Sequence, residues 1–162
     1  MDINVRPAQP QDMASVLELI NELAIFEKEP DAVIIDEQDL IRDGFGEHPA
    51  FHCFVAEADG DIQGMALIYF RYSTWKGKTV HLEDLIVREA YRGKGIGSAL
   101  YTEVIQFAAD QGVKRTEWVV LNWNKPAADF YRNSGADVLE DWDTVQMHEP
   151  AMHAYLKNKG RL

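Results

Sequence analysis

Leu82-Glu83-Asp84-Leu85-Ile86-Val87-Arg88-Glu89-Ala90-Tyr91-Arg92-Gly93-Lys94-Gly95-Ile96-Gly97-Ser98 is an apolar run that passes through a basic, glycine-rich turn into a helical pattern. The run reads as the end of a strand from Thr79 to Val87. The helix carries Ile96, Leu100, Val104, Ile105 and Ala108 at helical spacing until Gly112 stops it. Three glycines at alternate positions between strand and helix let backbone N–H groups converge on a concave site at the positive end of the helix dipole, which suits a phosphate. Residues 88–94 carry three bases and one acid inside a chain of net charge −11, the local reversal that an anionic ligand requires. Two other phosphate loops fail on the letters. Ser98 stands where GxGxxG needs its third glycine, and no GxxxxGK[ST] occurs.

Upstream of this stretch, His52–Glu57 and Ile62–Phe70 flank Asp59-Gly60, a favoured turn pair, and read as a β-hairpin. Gln11–Phe26 has apolar residues on one helical face behind Pro10 and Asp12, and Asp36–Phe45 reads as a second helix closing on Gly44 and Gly46. Downstream, Glu117–Leu121 reads as a short strand, and Asn124-Lys125-Pro126 opens a helix that runs through Phe130 and Tyr131 to Gly135. Ala136–Met147, with Trp142 among its residues, reads as one or two closing strands, and the polar tail from Ala151 as a short or frayed helix. The order α, β-hairpin, β, α, β, α, β predicts one mixed α+β domain over residues 1–162.

At 162 residues, 46% of them hydrophobic, the chain can build one core without staples. Its acidity disfavours nucleic acid, whose binding rests on basic side chains, and favours small cations. Cys53, the single cysteine, lies in an apolar strand pattern and reads as buried packing. No Cys/His cluster offers a metal site, and the five histidines show no metal spacing. The first residues lack a signal-peptide pattern and no apolar run approaches a membrane span, so a soluble, cytoplasmic protein that avoids membranes is expected.

Arg92-Gly93-Lys94-Gly95-Ile96-Gly97 resembles the [QR]-x-x-G-x-[GA] signature of the GCN5-related N-acetyltransferases (GNATs), whose loop binds the pyrophosphate of acetyl-CoA. Asp43-Gly44-Phe45-Gly46-Glu47-His48-Pro49, Tyr72–Lys78, Leu82-Glu83-Asp84, Trp123-Asn124 and Phe130-Tyr131 are similar to the diamine acetyltransferase subfamily. Phe26-Glu27-Lys28 and Ser73-Thr74-Trp75-Lys76-Gly77 look most like its thialysine Nε-acetyltransferase branch. The resemblance implies a twisted, mostly antiparallel mixed sheet flanked by helices, acetyl-CoA as cosubstrate with no metal, and a homodimer.

The resemblance also implies roles for particular residues. Leu85, Ile86 and Val87 would bond pantetheine through their backbone, Arg92 to Ser98 (Arg92, Gly93, Lys94, Gly95, Ile96, Gly97, Ser98) would hold the pyrophosphate, and Asn124, Pro126 and Tyr131 would line the rest of the donor. Phe26, Glu27, Ser73, Trp75, Glu83, Asp84 and Trp142 would face the amine. An alkylamine with a pKa near ~10 is ammonium at neutral pH. Glu83 is the candidate base, directly or through water, with its basicity raised where it is partly buried. Tyr131 is the candidate acid for the departing thiolate, since phenol and thiol pKa values lie close together. Ser73 stands where spermidine/spermine enzymes carry an Asp. A neutral hydroxyl there favours thialysine or a similar lysine analogue, with polyamines as the main rival. A non-catalytic acyl-CoA-binding regulatory module is an alternative of another class. A protein acetyltransferase would need an open groove, whereas bulky Trp75 and Trp142 predict a closed, small pocket.

Overall fold

β3 (Asp61–Ser73) is the spine of the structure because its side chains alternate between two cores: Ala66 and Ile68 join one, Met65 and Leu67 the other. The computed structural model describes residues 1–161, which divide into two compact units, one of residues 1–121 and one from residue 122 onward. In the first unit, β1 (Asn4–Pro7), β2 (His52–Ala58), β3, β4 (Gly77–Val87) and β5 (Thr116–Glu117) form a five-stranded sheet in that spatial order. Every pairing is antiparallel except β4 with β5. The α+β class and the mostly antiparallel sheet are as the sequence predicts. At the β2–β3 turn, Asp59 and Gly60 both take positive φ, 53° and 88°, as the turn dipeptide requires.

One sheet face is covered by α1 (Met13–Phe26) and α2 (Glu37–Phe45), the other by α3 (Ile96–Asp110). Met13, Val16 and Leu19 of α1 are fully buried against Val55, Met65 and Ile86. Each such burial contributes roughly 1.5–3 kcal/mol. Asp36 caps α2 reciprocally: its carboxylate accepts from the Asp39 N–H at 2.9 Å, and that of Asp39 accepts from the Asp36 N–H at 3.0 Å. On the other face Ile96, Leu100 and Val104 pack onto Ala66, Ile68 and Val80. A Cβ on Gly64 would stand 2.9 Å from the Ile86 carbonyl oxygen and 3.0 Å from Leu100 Cδ1, so the close approach of α3 to the sheet depends on that glycine.

Two sequence expectations change, and one strand is added. β1 has no signal of its own: it is four residues long, contains Pro7, and is held by Arg6, whose guanidinium donates to Asp12 at 2.7 Å and Glu57 at 2.6 Å. The strand expected over Glu117–Leu121 shrinks to Thr116–Glu117, because only these residues pair with β4, at Val80 and His81. Ala136–Met147 forms no strand. Leu139, Val145 and Met147 are exposed, and four acids interrupt the run, so nothing there builds a buried face. The second unit consists of α4 (Lys125–Asn133), capped by Asn124 through the Ala127 N–H at 3.4 Å, and α5 (Glu149–Asn158). Leu162 lies outside the described residues.

Candidate active site

Glu83 and Asp84 are adjacent in sequence, and in a regular strand they would point to opposite faces. A register shift between Leu67 and Ile68 breaks that alternation: Leu82 pairs with Ile68 and Asp84 with Leu67, leaving Glu83 as the extra residue of a β-bulge. Val80, Leu82, Leu85 and Val87 all pack toward α3, and Ile86 packs toward α1. The bulge thus turns Glu83 and Asp84 to the same side. Glu27, just beyond the end of α1, is close enough for its charge to be felt by Asp84, and it feels the charge of Glu83 in turn.

Their ionisation differs by environment. Burial, followed by the charges of Glu83 and Glu27, pushes the Asp84 carboxyl up to about 6. Burial and then Glu83 also raise Glu27. Glu83 moves the other way. His81, two residues back on β4, brings Nε2 to 3.5 Å from Glu83 Oε2 and holds the carboxyl below the usual range, against the effect of burial. Tyr69 adds a smaller lowering and stacks on His81 with ring centroids 5.0 Å apart. The raised basicity expected of Glu83 is therefore corrected. Its side chain is half exposed, and a hydrogen-bonding neighbour outweighs desolvation.

The glycine turn has the geometry its letters imply. Gly93 and Gly95 sit at φ 73° and 92°, left-handed backbone that other residues adopt at a cost of about 1–2 kcal/mol. Gly95 precedes α3, whose opening bond runs from the Ala99 N–H to the Gly95 carbonyl at 2.9 Å. The N–H groups before Ala99 have no partner within the helix and are directed outward from its N-terminus. A Cβ on Gly93 would meet nothing within 4 Å, so the turn is uncovered at this point. Beside it, the β4–β5 ladder stops at His81 and leaves the edge of β4 from Leu82 to Val87 without a strand partner among the described residues. The residues present thus fit a pyrophosphate with a peptide-like arm running along a strand edge. Arg92 Nε donates to the Val87 carbonyl at 3.0 Å, and its guanidinium lies 5.2 Å from the Phe26 ring centroid, which ties the end of α1 to the loop. Lys94 lies over the Tyr91 ring at 4.6 Å.

Ser73 and Trp75 occupy the β3–β4 turn. Ser73 Oγ accepts from the Trp75 N–H at 3.1 Å and the Lys76 N–H at 3.2 Å, so the hydroxyl shapes the turn. Trp75 is 81% exposed. In the second unit, Asn124 and Pro126 open α4, Tyr131 meets the Phe130 ring edge-on at 5.5 Å, and Trp142 is 70% exposed. Within the first unit the Trp75 ring lies open to solvent, so it encloses no pocket there by itself, contrary to expectation. Cys53 is buried, and burial pushes its thiol up to about 12, an inert packing group. His81 and Tyr69 were not legible as neighbours of Glu83. Their signal is the i, i+2 spacing on β4 and the Tyr69–His81 register, which only a correct strand pairing reveals. Among the described residues no group of three or more His, Cys, Asp or Glu could hold a metal ion, and no helix is long and apolar enough to cross a membrane.

Residues 13–136 match the family model described as Acetyltransferase (GNAT) family. The chain is 43% identical over 161 residues to the thialysine N-epsilon-acetyltransferase of Bos taurus, covering 93% of this chain and 95% of that protein. It is 36% identical over 139 residues to spermidine/spermine N(1)-acetyltransferase-like protein 1 of Homo sapiens, covering 82% of this chain and 20% of that one. Among solved structures, an integron cassette protein from the mobile metagenome of V. cholerae superposes with a TM-score of 0.79 at 22% identity, covering 97% of this chain and 99% of the other, a likeness of fold.

Proposed function

Because the chain belongs to the acetyltransferase (GNAT) family, we propose that it transfers the acetyl group of acetyl-CoA to the side-chain amine of thialysine or a similar lysine-like amino acid. The single observation that carries this reading is the bulge that sets Glu83 and Asp84 side by side on β4, on the strand that leads into the glycine turn. The identity to thialysine N-epsilon-acetyltransferases supports the substrate.

Acetyl-CoA, once bound, supplies an activated acyl carbon whose bond to sulfur breaks as the amine nitrogen bonds to it. The chain does the rest. N–H groups from Gly93 to Ser98 would grip the pyrophosphate at the positive end of α3. Leu85, Ile86 and Val87 would offer backbone groups to pantetheine along the unpaired edge of β4. Glu27, Glu83 and Asp84 would attract the ammonium, and Glu83 would take its proton, directly or through a water, so that a neutral amine attacks. Tyr131 would give the departing sulfur a proton, with Asn124 and Pro126 beside the donor arm. Phe26, Ser73, Trp75 and Trp142 complete the amine side of this reading. We take residues 1–162 as one catalytic domain, which the family match across both compact units supports, acting as a cytoplasmic homodimer.

The reading is tested by the CoA released from acetyl-CoA with thialysine, spermidine, spermine, putrescine and a lysyl peptide, each as kcat/KM. It predicts the highest value for thialysine. Spermidine or spermine ranking first would establish the polyamine alternative, which the similarity to the spermidine/spermine-like protein favours. CoA binding with no acceptor acetylated would leave the regulatory-module alternative.

A further inference from the structure

Tyr69, Arg71 and Ser73 alternate with Phe70, which packs toward α3, so they share the opposite face of β3, on the side to which the bulge turns Glu83. Along this face the charge changes sign. At one end stand Glu27, Glu83 and Asp84. Tyr69 and His81 follow, stacked and paired in register. Tyr69 feels the charges of Glu83 and of Arg71 and Glu117, so it lies between the two groups. At the far end Arg71 pairs with Glu117, the register partner of His81, and Arg115 also reaches Glu117 at 3.1 Å. Two guanidiniums share one carboxylate, which leaves a local positive charge within a strongly acidic chain. The Arg71 side chain is 55% exposed and open to a ligand.

From this arrangement we infer that Arg71 anchors the carboxylate of an amino-acid substrate whose terminal amine lies at Glu83, and so selects lysine-like acceptors over diamines. The inference rests on the functional reading above. The spacing fits. Arg71 stands three to four ladder positions from Glu83, which bulges out between the Ile68 and Leu67 pairs, and at ~3.3 Å per residue this is ~10–13 Å along the strand. An extended lysine-like molecule spans roughly 7–8 Å from its terminal nitrogen to its carboxylate carbon. A hydrogen bond of ~3 Å at each end extends this to ~13–14 Å, within reach of a Glu and an Arg side chain whose backbones start ~10–13 Å apart. A guanidinium holds a carboxylate through two parallel N–H donors, whereas the second ammonium of a diamine would meet repulsion at the same point. Ser73, whose oxygen is engaged in its turn, does not supply a comparable anchor.

The test compares thialysine with its decarboxylated counterpart, bis(2-aminoethyl) sulfide, which differs by one carboxylate. Arg71→Ala should lower the thialysine-to-diamine ratio of kcat/KM at least tenfold, mainly through the KM for thialysine, and Arg71→Lys should restore part of it. An unchanged ratio, or an equal fall for both substrates, overturns the inference. Calorimetric titration of the two compounds into wild type and Arg71→Ala reads the carboxylate contact without turnover. If wild type acetylates neither compound, the functional reading fails while the titration still decides: equal affinity for both compounds in wild type overturns the anchor, and a thialysine preference lost in Arg71→Ala upholds it.

Discussion

His81 Nε2 stands 3.5 Å from Glu83 Oε2, two residues away on β4, and this pairing holds the Glu83 carboxyl below its ordinary range. A depressed pKa keeps Glu83 ionised at lower pH, so activity that needs the carboxylate extends further into acid. Replacing His81 with Phe removes the donor, and the acid limb of kcat/KM against pH should move upward. His81→Gln, which keeps an N–H donor, should move it less. Identical acid limbs in all three proteins would show that His81 does not govern Glu83.

Asp84 is raised to about 6, so the folded state holds its proton more tightly than the unfolded chain, whose Asp titrates near ~3.9. No stability is lost below the unfolded pKa. As pH rises through about 6, the folded state forfeits at most about 3 kcal/mol. Asp84→Asn should therefore raise Tm relative to wild type above pH 6, with the difference vanishing near pH 4. A constant difference across that window would contradict the partly buried, repelled carboxyl.

Gly64→Ala places a Cβ 2.9 Å from the Ile86 carbonyl oxygen. Overpacking of this kind costs roughly 1–3 kcal/mol, read as a lower urea midpoint with an unchanged slope. A variant as stable as wild type would mean that α3 does not press on the sheet at this point.

Gly95 holds φ 92° before α3. Gly95→Glu adds backbone strain of about 1–2 kcal/mol and a negative charge at the proposed pyrophosphate cradle. CoA affinity by calorimetry should fall more than tenfold while far-UV circular dichroism is retained. Wild-type affinity in this variant would move the donor site away from the glycine turn.

Tyr131→Phe should lower kcat at least tenfold with little change in KM for the amine, because the lost hydroxyl acts only as the thiolate departs. An unchanged kcat would remove Tyr131 from the chemistry.

The elements with a strong period were legible in the sequence: α1, α3 and the β2–β3 hairpin follow from apolar spacing and the Asp59-Gly60 turn. β1 was not, because its place is set by pairing with β2, about fifty residues away, and by Arg6 reaching Glu57 across that pairing. The same holds at the site. Glu83, Asp84 and the glycines were readable as letters, but the bulge that turns both acids to one side arises from a slip against β3, which no local pattern announces. The lowered Glu83 followed from His81, two residues back on the same strand, and from Tyr69, which only the β3–β4 register brings beside it. Trp75 misled because a large apolar ring suggests enclosure, while its place at the tip of the β3–β4 turn leaves it in solvent.

The central claim, amine acetylation at Glu83, is tested most directly by mass spectrometry of thialysine incubated with acetyl-CoA and either wild type or Glu83→Gln. The account predicts Nε-acetylthialysine from wild type and at least tenfold slower formation by Glu83→Gln at equal CoA affinity. Equal rates from the two proteins, or no acetylated product from wild type, would contradict it.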